Sequence, residues 1–168
     1  KLEARIEEVR QRSSLVFHRP TVLSIEWIDP VMAGGTWMPE LIEMAGGEAL
    51  VTRPGDHAPT LQFDQLEALE PDMVLIKPCG FNIKRTAGEL FAVKGLLPGR
   101  RWAGVSKRRV YLTDGNQYFK RPGPRIVDSL EIMAACVHPQ IFPDFVVQYR
   151  DVIKRILPDL STESFTGR

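Results

Sequence analysis

Apolar positions recur along this chain in two rhythms, and their alternation sets the expected fold. Leu2, Ile6 and Val9 fall on one stripe of a helix over residues 2–11, with Glu3, Arg5, Glu7, Glu8 and Arg10 around the rest. Residues 21–27 follow Pro20, are rich in β-branched and large apolar side chains, and stop at Asp29-Pro30, which reads as a buried strand. Gly34-Gly35 loosens the chain ahead of a second helix. On that helix Trp37, Leu41 and Ala45 share a face with Met38 and Ile42, and Gly46-Gly47 is expected to close it in a left-handed cap. A short strand near residues 49–52, a breaker-rich stretch over 53–59 and a short helix over 64–69 come next. Met73-Val74-Leu75-Ile76-Lys77 is the strongest strand pattern, followed at once by Pro78-Cys79-Gly80-Phe81. A helix is expected over 83–96, ended by Pro98-Gly99, and at most a helical turn over 102–105. Residues 110–113 are expected to be the last strand. Two helices should close the chain: one with Ile126, Val127, Leu130, Met133, Ala134 and Val137 inward, and a tail helix over 145–157 carrying Val146, Tyr149, Val152, Ile153 and Ile156.

Strands alternating with helices predict an α/β fold, a three-layer α/β/α sandwich with a mostly parallel, Rossmann-like sheet, because parallel strands need crossover connections. Ligands of such sheets bind beyond the carboxyl ends of the strands. That rule gathers four distant segments on one rim: residues 26–30, 54–59, 78–81 and 117–121. Their inventory is aromatic with a few polar heads, which suits a bulky, partly flat ligand better than a phosphate. The stretch Tyr118-Phe119-Lys120-Arg121-Pro122-Gly123-Pro124-Arg125 reads as a stiff loop, with φ fixed at both prolines and Gly123 expected in a turn closed to other residues. Arg121 would be free to point at a ligand. Arg125 opens a helix, where the dipole disfavours a cation, so it is expected to pair with a carboxylate.

Composition narrows the function classes. A chain of 168 residues with 43% apolar content is one domain by length and has enough apolar residues for an ordinary core. The 22 basic and 21 acidic residues leave a formal charge of +1, so no global field recruits nucleic acid or an anionic membrane. The cluster Arg100, Arg101, Lys107, Arg108 and Arg109 reads as a solvated loop. No apolar run approaches the roughly 20 residues of a membrane span, and Lys1 does not open a signal segment. Cys79 and Cys136 make no disulfide framework; Cys136 reads as core, and Cys79 as facing a cleft. Dinucleotide, P-loop and serine-hydrolase signatures are absent. His18, His57 and His138 lie far apart with no partners at ligand spacing, so no metal site is expected. Glu26 and Asp29 are carboxylates at a strand end, more often caps than catalysts, and a Cys79 nucleophile would have His57 as its sole candidate base.

Several short motifs occur in series: Glu26-Trp27-Ile28-Asp29-Pro30, Trp37-Met38-Pro39-Glu40 running to Ala45-Gly46-Gly47, Pro71-Asp72, Pro78-Cys79-Gly80-Phe81, the octapeptide at 118–125, and His138-Pro139. With these the chain resembles the carboxy-terminal lobe of a class III periplasmic substrate-binding protein of ABC importers, in the cobalamin and iron-siderophore branch. The resemblance implies two α/β lobes joined by a long helix. Residues 1–14 would be the end of that helix, residues 15–168 the carboxy-terminal lobe, and the amino-terminal lobe would be missing. The implied function is non-enzymatic: capture of a cobalamin-like tetrapyrrole and delivery to a membrane permease, with a ferric siderophore or haem as the alternative ligand. The rivals are a chelatase-like enzyme that inserts metal into a tetrapyrrole, using His57 with Glu26 or Asp29, and a standalone lobe that binds another protein.

By family position Glu26, Trp27, His57, Ala58, Gln117, Tyr118 and Arg121 would line the ligand face, and Cys79 and Phe81 join them from the rim. Ala58 stands where the family can carry a tryptophan. Asp64, and second Glu40, match the exposed acids with which the family docks on its permease. The resemblance implies no cofactor beyond the ligand, no nucleic-acid partner, and a periplasmic or extracellular setting, with membrane anchoring as one form of it.

Overall fold

In the computed structural model, which describes residues 1–89 and 102–167, the apolar runs become strands because only pairing satisfies their buried backbone. Strands β1 (Thr21–Ile28), β2 (Val31–Ala33), β3 (Glu48–Ala49), β4 (Met73–Ile76), β5 (Val110–Thr113), β6 (Ile153–Ile156) and β7 (Thr162–Ser164) share one sheet. Its order is β2-β1-β4-β5-β6-β7, with β3 also beside β1. The pairs β3–β1, β1–β4 and β4–β5 are parallel; β2, β6 and β7 add antiparallel edges.

Side chains of the central strands alternate between two cores. Val22, Met73, Leu75 and Tyr111 face one, and Leu23, Ile25, Val74, Ile76, Val110 and Leu112 face the other. The first core is covered by α1 (Leu2–Ser13), α2 (Met38–Met44), α6 (Ile126–Val137) and α7 (Pro143–Gln148). On the second face lie α3 (Phe63–Ala68), α4 (Ile83–Gly88) and α5 (Ala103–Ser106), through Leu66, Ala87 and Val105. Burial on both faces explains why the central strands read as continuous apolar runs rather than alternating ones. The expected three-layer, mostly parallel α/β architecture is the observed one.

Several boundaries differ from the periodicity. Residues 110–113 are not the last strand, and the tail helix expected over 145–157 is instead α7, a turn and β6. Val152, Ile153 and Ile156 fit a helical stripe, yet β5 has an open edge there. Ile153 pairs with Thr113, whose Oγ1 donates to the Val152 carbonyl at 2.9 Å, so edge pairing overrides the local pattern. The strand expected at 49–52 is the two-residue β3, and β2 was not foreseen. The helix expected over 83–96 is described as far as Gly88; its remainder, Pro98-Gly99, Arg100 and Arg101 lie outside the described residues. Gly46 does close α2: at φ +85° its N–H reaches the Glu43 carbonyl and that of Gly47 reaches Ile42. Gly123 does not show the positive φ expected of it.

Helix α1 is held by arginines as much as by its apolar stripe. Val9 is fully buried and Ile6 packs on the core, but Leu2 is exposed. Arg5, from the nominally polar face, grips buried Glu131 of α6 through Nε and Nη2 at 2.7 and 2.8 Å and reaches Asp128 at 2.6 Å. Tyr149 donates to the same Glu131 carboxylate at 2.6 Å. Burial and this bond hold the Tyr149 phenol well above its usual range. Near the other end of α1, Arg12 stacks on Phe142 and Phe145 and pairs with Asp144.

Candidate functional site

The parallel register between β1 and β4 aligns Ile25 with Ile76, so the next residues, Glu26 and Lys77, meet at the carboxyl end of the sheet. Lys77 Nζ lies 3.4 Å from Glu26 Oε2, and its side chain is 2% exposed against 28% for Glu26. Burial pushes the Lys77 ammonium below its ordinary pKa, and the Glu26 carboxylate opposes that shift. The ammonium also sits 5.8 Å from the centroid of the buried Phe119 ring. Lys77 escaped sequence reasoning. The available signal was a lysine closing the most apolar strand, beside a glutamate closing its neighbour.

Around this pair the four rim segments are joined backbone to backbone. The Cys79 N–H donates to the Glu26 carbonyl at 2.9 Å, and the Asn116 N–H to the Phe81 carbonyl at 3.1 Å. Gly115 lies so close to the carbonyls of Lys77 and Pro78 that any Cβ there would collide with them. Gly35 meets the backbone of Asp56 and Ala58 in the same way, and the Thr36 N–H donates to the Asp56 carbonyl at 2.6 Å. A weak bond of 3.4 Å from the Gly35 N–H to Glu26 Oε2 ties that loop back to the central pair. Residues 26–30, 54–59, 78–81 and 117–121 therefore form one connected rim, as their place after parallel strands predicts.

The aromatic side chains there are fixed in advance. Trp27 donates Nε1–H to the Asp29 carbonyl at 2.9 Å and meets Phe81 edge to face, with centroids 5.4 Å apart. Phe81 is 6% exposed, with the Arg85 guanidinium 3.6 Å above its ring, so it forms the bed on which half-buried Trp27 rests. Buried Asp114 accepts the N–H groups of Asn116 and Gln117 at 3.0 and 2.7 Å, and the Ser129 hydroxyl donates to the Tyr118 carbonyl. Tyr118 is half-buried against Tyr149, its hydroxyl accepting from Gln117 Nε2 at 3.3 Å; burial raises its pKa. Asp114, Ser129 and Arg85 were also missed, because their roles depend on neighbours from other elements.

The remaining candidates sit on the surface of this rim. His57 and Cys79 are exposed, and no hydrogen bond joins them among the described residues. Ala58 is half-buried against Gly35. Cys136 is core, with its thiol pKa raised by burial. Arg121 is exposed beside a hollow of about 400 Å³ lined also by Asn116, Gln117, Lys120, Gly123 and Arg125. The ion pair expected of Arg125 is not found among the described residues; it is exposed at the start of α6. Asp64 and Glu40 are exposed in the first turns of α3 and α2. Among the described residues no three His, Cys, Asp or Glu side chains gather as a metal site, and no helix is long and apolar enough to cross a membrane.

Solved structures share this architecture. The TroA-like periplasmic binding protein FepB of Veillonella parvula superposes with a TM-score of 0.67 at 18% identity, over 97% of this chain and 53% of that one. IsdE of S. aureus, solved with heme, gives 0.67 at 14% identity over 81% and 54%. The periplasmic vitamin B12 binding protein BtuF of Vibrio cholerae gives 0.60 at 14% identity over 80% and 50%. The chain thus has the fold of one lobe of a class III, TroA-like binding protein and spans about half the length of these structures. No protein-family model matches the chain, and no curated protein matches it.

Proposed function

We propose that this chain is one lobe of the substrate-binding component of an ABC importer, with a cobalamin-like tetrapyrrole as its first ligand candidate. The observation that carries the reading is the preorganised rim: Trp27 and Tyr118 held at fixed angles by neighbours that are themselves tied down, with polar heads at the edge. A flat macrocycle would cover the half-buried rings, and Gln117 and Arg121 would bond its peripheral amides. Little ordering cost would remain for the backbone and the rings on binding, because Asp114 and Ser129 have already fixed the loop backbone around Tyr118, and Phe81 packs on the Trp27 ring. Structures the chain resembles are named as periplasmic binding proteins, so the reading is non-enzymatic. Delivery to a membrane permease, through exposed Asp64 and Glu40, belongs to the same proposal, as does a periplasmic or extracellular setting.

One observation favours a second ligand, haem. The hollow beside Arg121 is lined by three cations, Lys120, Arg121 and Arg125, and by no carboxylate among the described residues. Such an edge complements the propionates of haem better than neutral amides. A single titration separates the readings: cyanocobalamin, haemin and a ferric siderophore are added in turn while tryptophan fluorescence is followed. Saturable quenching by cyanocobalamin, weakened about tenfold or more by Arg121→Ala and by Tyr118→Ala, supports the first. Quenching by haemin alone selects the second. Binding that both substitutions leave unchanged removes the rim from consideration. Asp64→Ala should keep ligand affinity and impair uptake; a fall in ligand affinity would place Asp64 in the site instead.

A further inference from the structure

A second cavity lies at the opposite end of the sheet from the rim. It has a volume of about 610 Å³ and opens between the loop after α1, the residues ahead of β5 and the end of α6. Its walls are of two kinds. Leu15, Phe17 and Ile141 supply apolar surface, with Leu15 72% exposed and Phe17 fully exposed. Lys107, Arg108, Arg109 and Arg155 supply charge, and no carboxylate is among the described lining residues. The acids within reach are Asp72, paired with Lys107 at 3.4 Å, and Glu163, whose Oε1 is shared by Arg108 at 3.1 Å and Arg155 at 3.2 Å. Three of these cations thus share two carboxylates. Arg109 is otherwise accounted for: its Nη2 donates to the Val137 carbonyl at 2.7 Å, capping α6.

Arg155 is not accounted for. It is 9% exposed, its guanidinium 5.2 and 6.0 Å from the ring centroids of Phe165 and Tyr111, and its one hydrogen bond among the described residues is from Nη1 to Glu163. Its Nε is buried with no hydrogen bond among the described residues. A buried guanidinium whose one ion-pair partner, Glu163, is shared with Arg108 is only partly compensated for its desolvation, and an oxyanion in the cavity would add a charge-assisted bond to it. We propose that this cavity is a second small-molecule site, which takes an oxyanion, phosphate or carboxylate, on Arg155 and the neighbouring Lys107 and Arg108, and a flat apolar body against Phe17 and Ile141. It is independent of the rim, from which it is separated by the length of the sheet.

Phenyl phosphate is a probe with both parts. Isothermal titration of the 168-residue chain should give saturable binding at least about tenfold tighter for phenyl phosphate than for inorganic phosphate, weakening as salt is raised. Arg155→Gln should weaken phenyl phosphate about tenfold or more, and Arg121→Ala at the rim should leave it unchanged. Should Arg155→Gln fail to fold, two surface variants decide: Phe17→Ala should lower affinity for phenyl phosphate but not inorganic phosphate, and Lys107→Gln should lower both. No saturation in the millimolar range overturns the proposal. So does wild-type affinity in the folded variants, or binding to vesicles of anionic phospholipid with none to phenyl phosphate.

Discussion

Lys77 shows how a single residue can be unremarkable in sequence and decisive in place. Its aliphatic stem continues the apolar run of β4, while its ammonium is buried beneath the rim with Glu26 as its hydrogen-bond partner. Because burial holds its pKa below the ordinary value of about 10.4, the unfolded chain binds more protons between the two values. Stability contributed by this position therefore rises with pH across that window. The expected outcome is that the wild-type chain gains stability relative to Lys77→Met as pH is raised from neutral toward about 10, measured by urea unfolding at each pH. Comparison with the variant removes the opposite trend from Tyr111 and Tyr149, whose phenols are held high by burial. A difference that stays flat with pH would mean that Lys77 is hydrated. Sequence reasoning placed Glu26 on the rim but not Lys77 beside it, since only the β1–β4 register puts the two side by side.

At the scale of elements, what was legible depended on how far each element is determined by its own residues. Strands β1, β4 and β5 are buried on both faces, so their composition alone marks them. The antiparallel strands β2, β6 and β7 are three or four residues long and exist because a neighbour offers an unpaired ladder, which no local pattern records. Helix α1 was found by its stripe, yet its attachment was misjudged: Arg5 was assigned to the solvated face, whereas it forms the charged anchor to α6. Arg5→Ala leaves the buried Glu131 carboxylate with Tyr149 and Gln148 as its remaining side-chain partners among the described residues. The expected loss is about 1.5–3 kcal/mol, the range for hydrogen bonds to charged groups, while Arg10→Ala should stay within about 0.5 kcal/mol. Chemical denaturation of the two variants checks this; equal small losses would show that the anchor is screened by water.

On the proposed function the rim would be one face of a cleft. Trp27, Tyr118, Gln117 and Arg121 would cover one side of a flat ligand, and the opposite side would remain in solvent. The match covers only 50–54% of the solved binding proteins of this fold. Helix α1 matters here because Arg5 and Arg12 hold it at both ends against α6 and α7, so whatever is joined ahead of Leu2 inherits a fixed orientation relative to the rim. A second lobe carried on such a strut meets the ligand at high effective concentration, without the entropy cost of a flexible link. Extending the chain upstream of Leu2 by a lobe of the same fold should therefore tighten binding of the rim's ligand by at least about a hundredfold, on the order of 2.7 kcal/mol. Tryptophan-fluorescence titrations of the 168-residue chain and the extended chain measure this directly. Arg5→Ala in the extended form should lose part of the gain by loosening the strut, but leave the affinity of the single lobe unchanged. Equal affinities with and without the extension would show that one lobe is the complete binding unit.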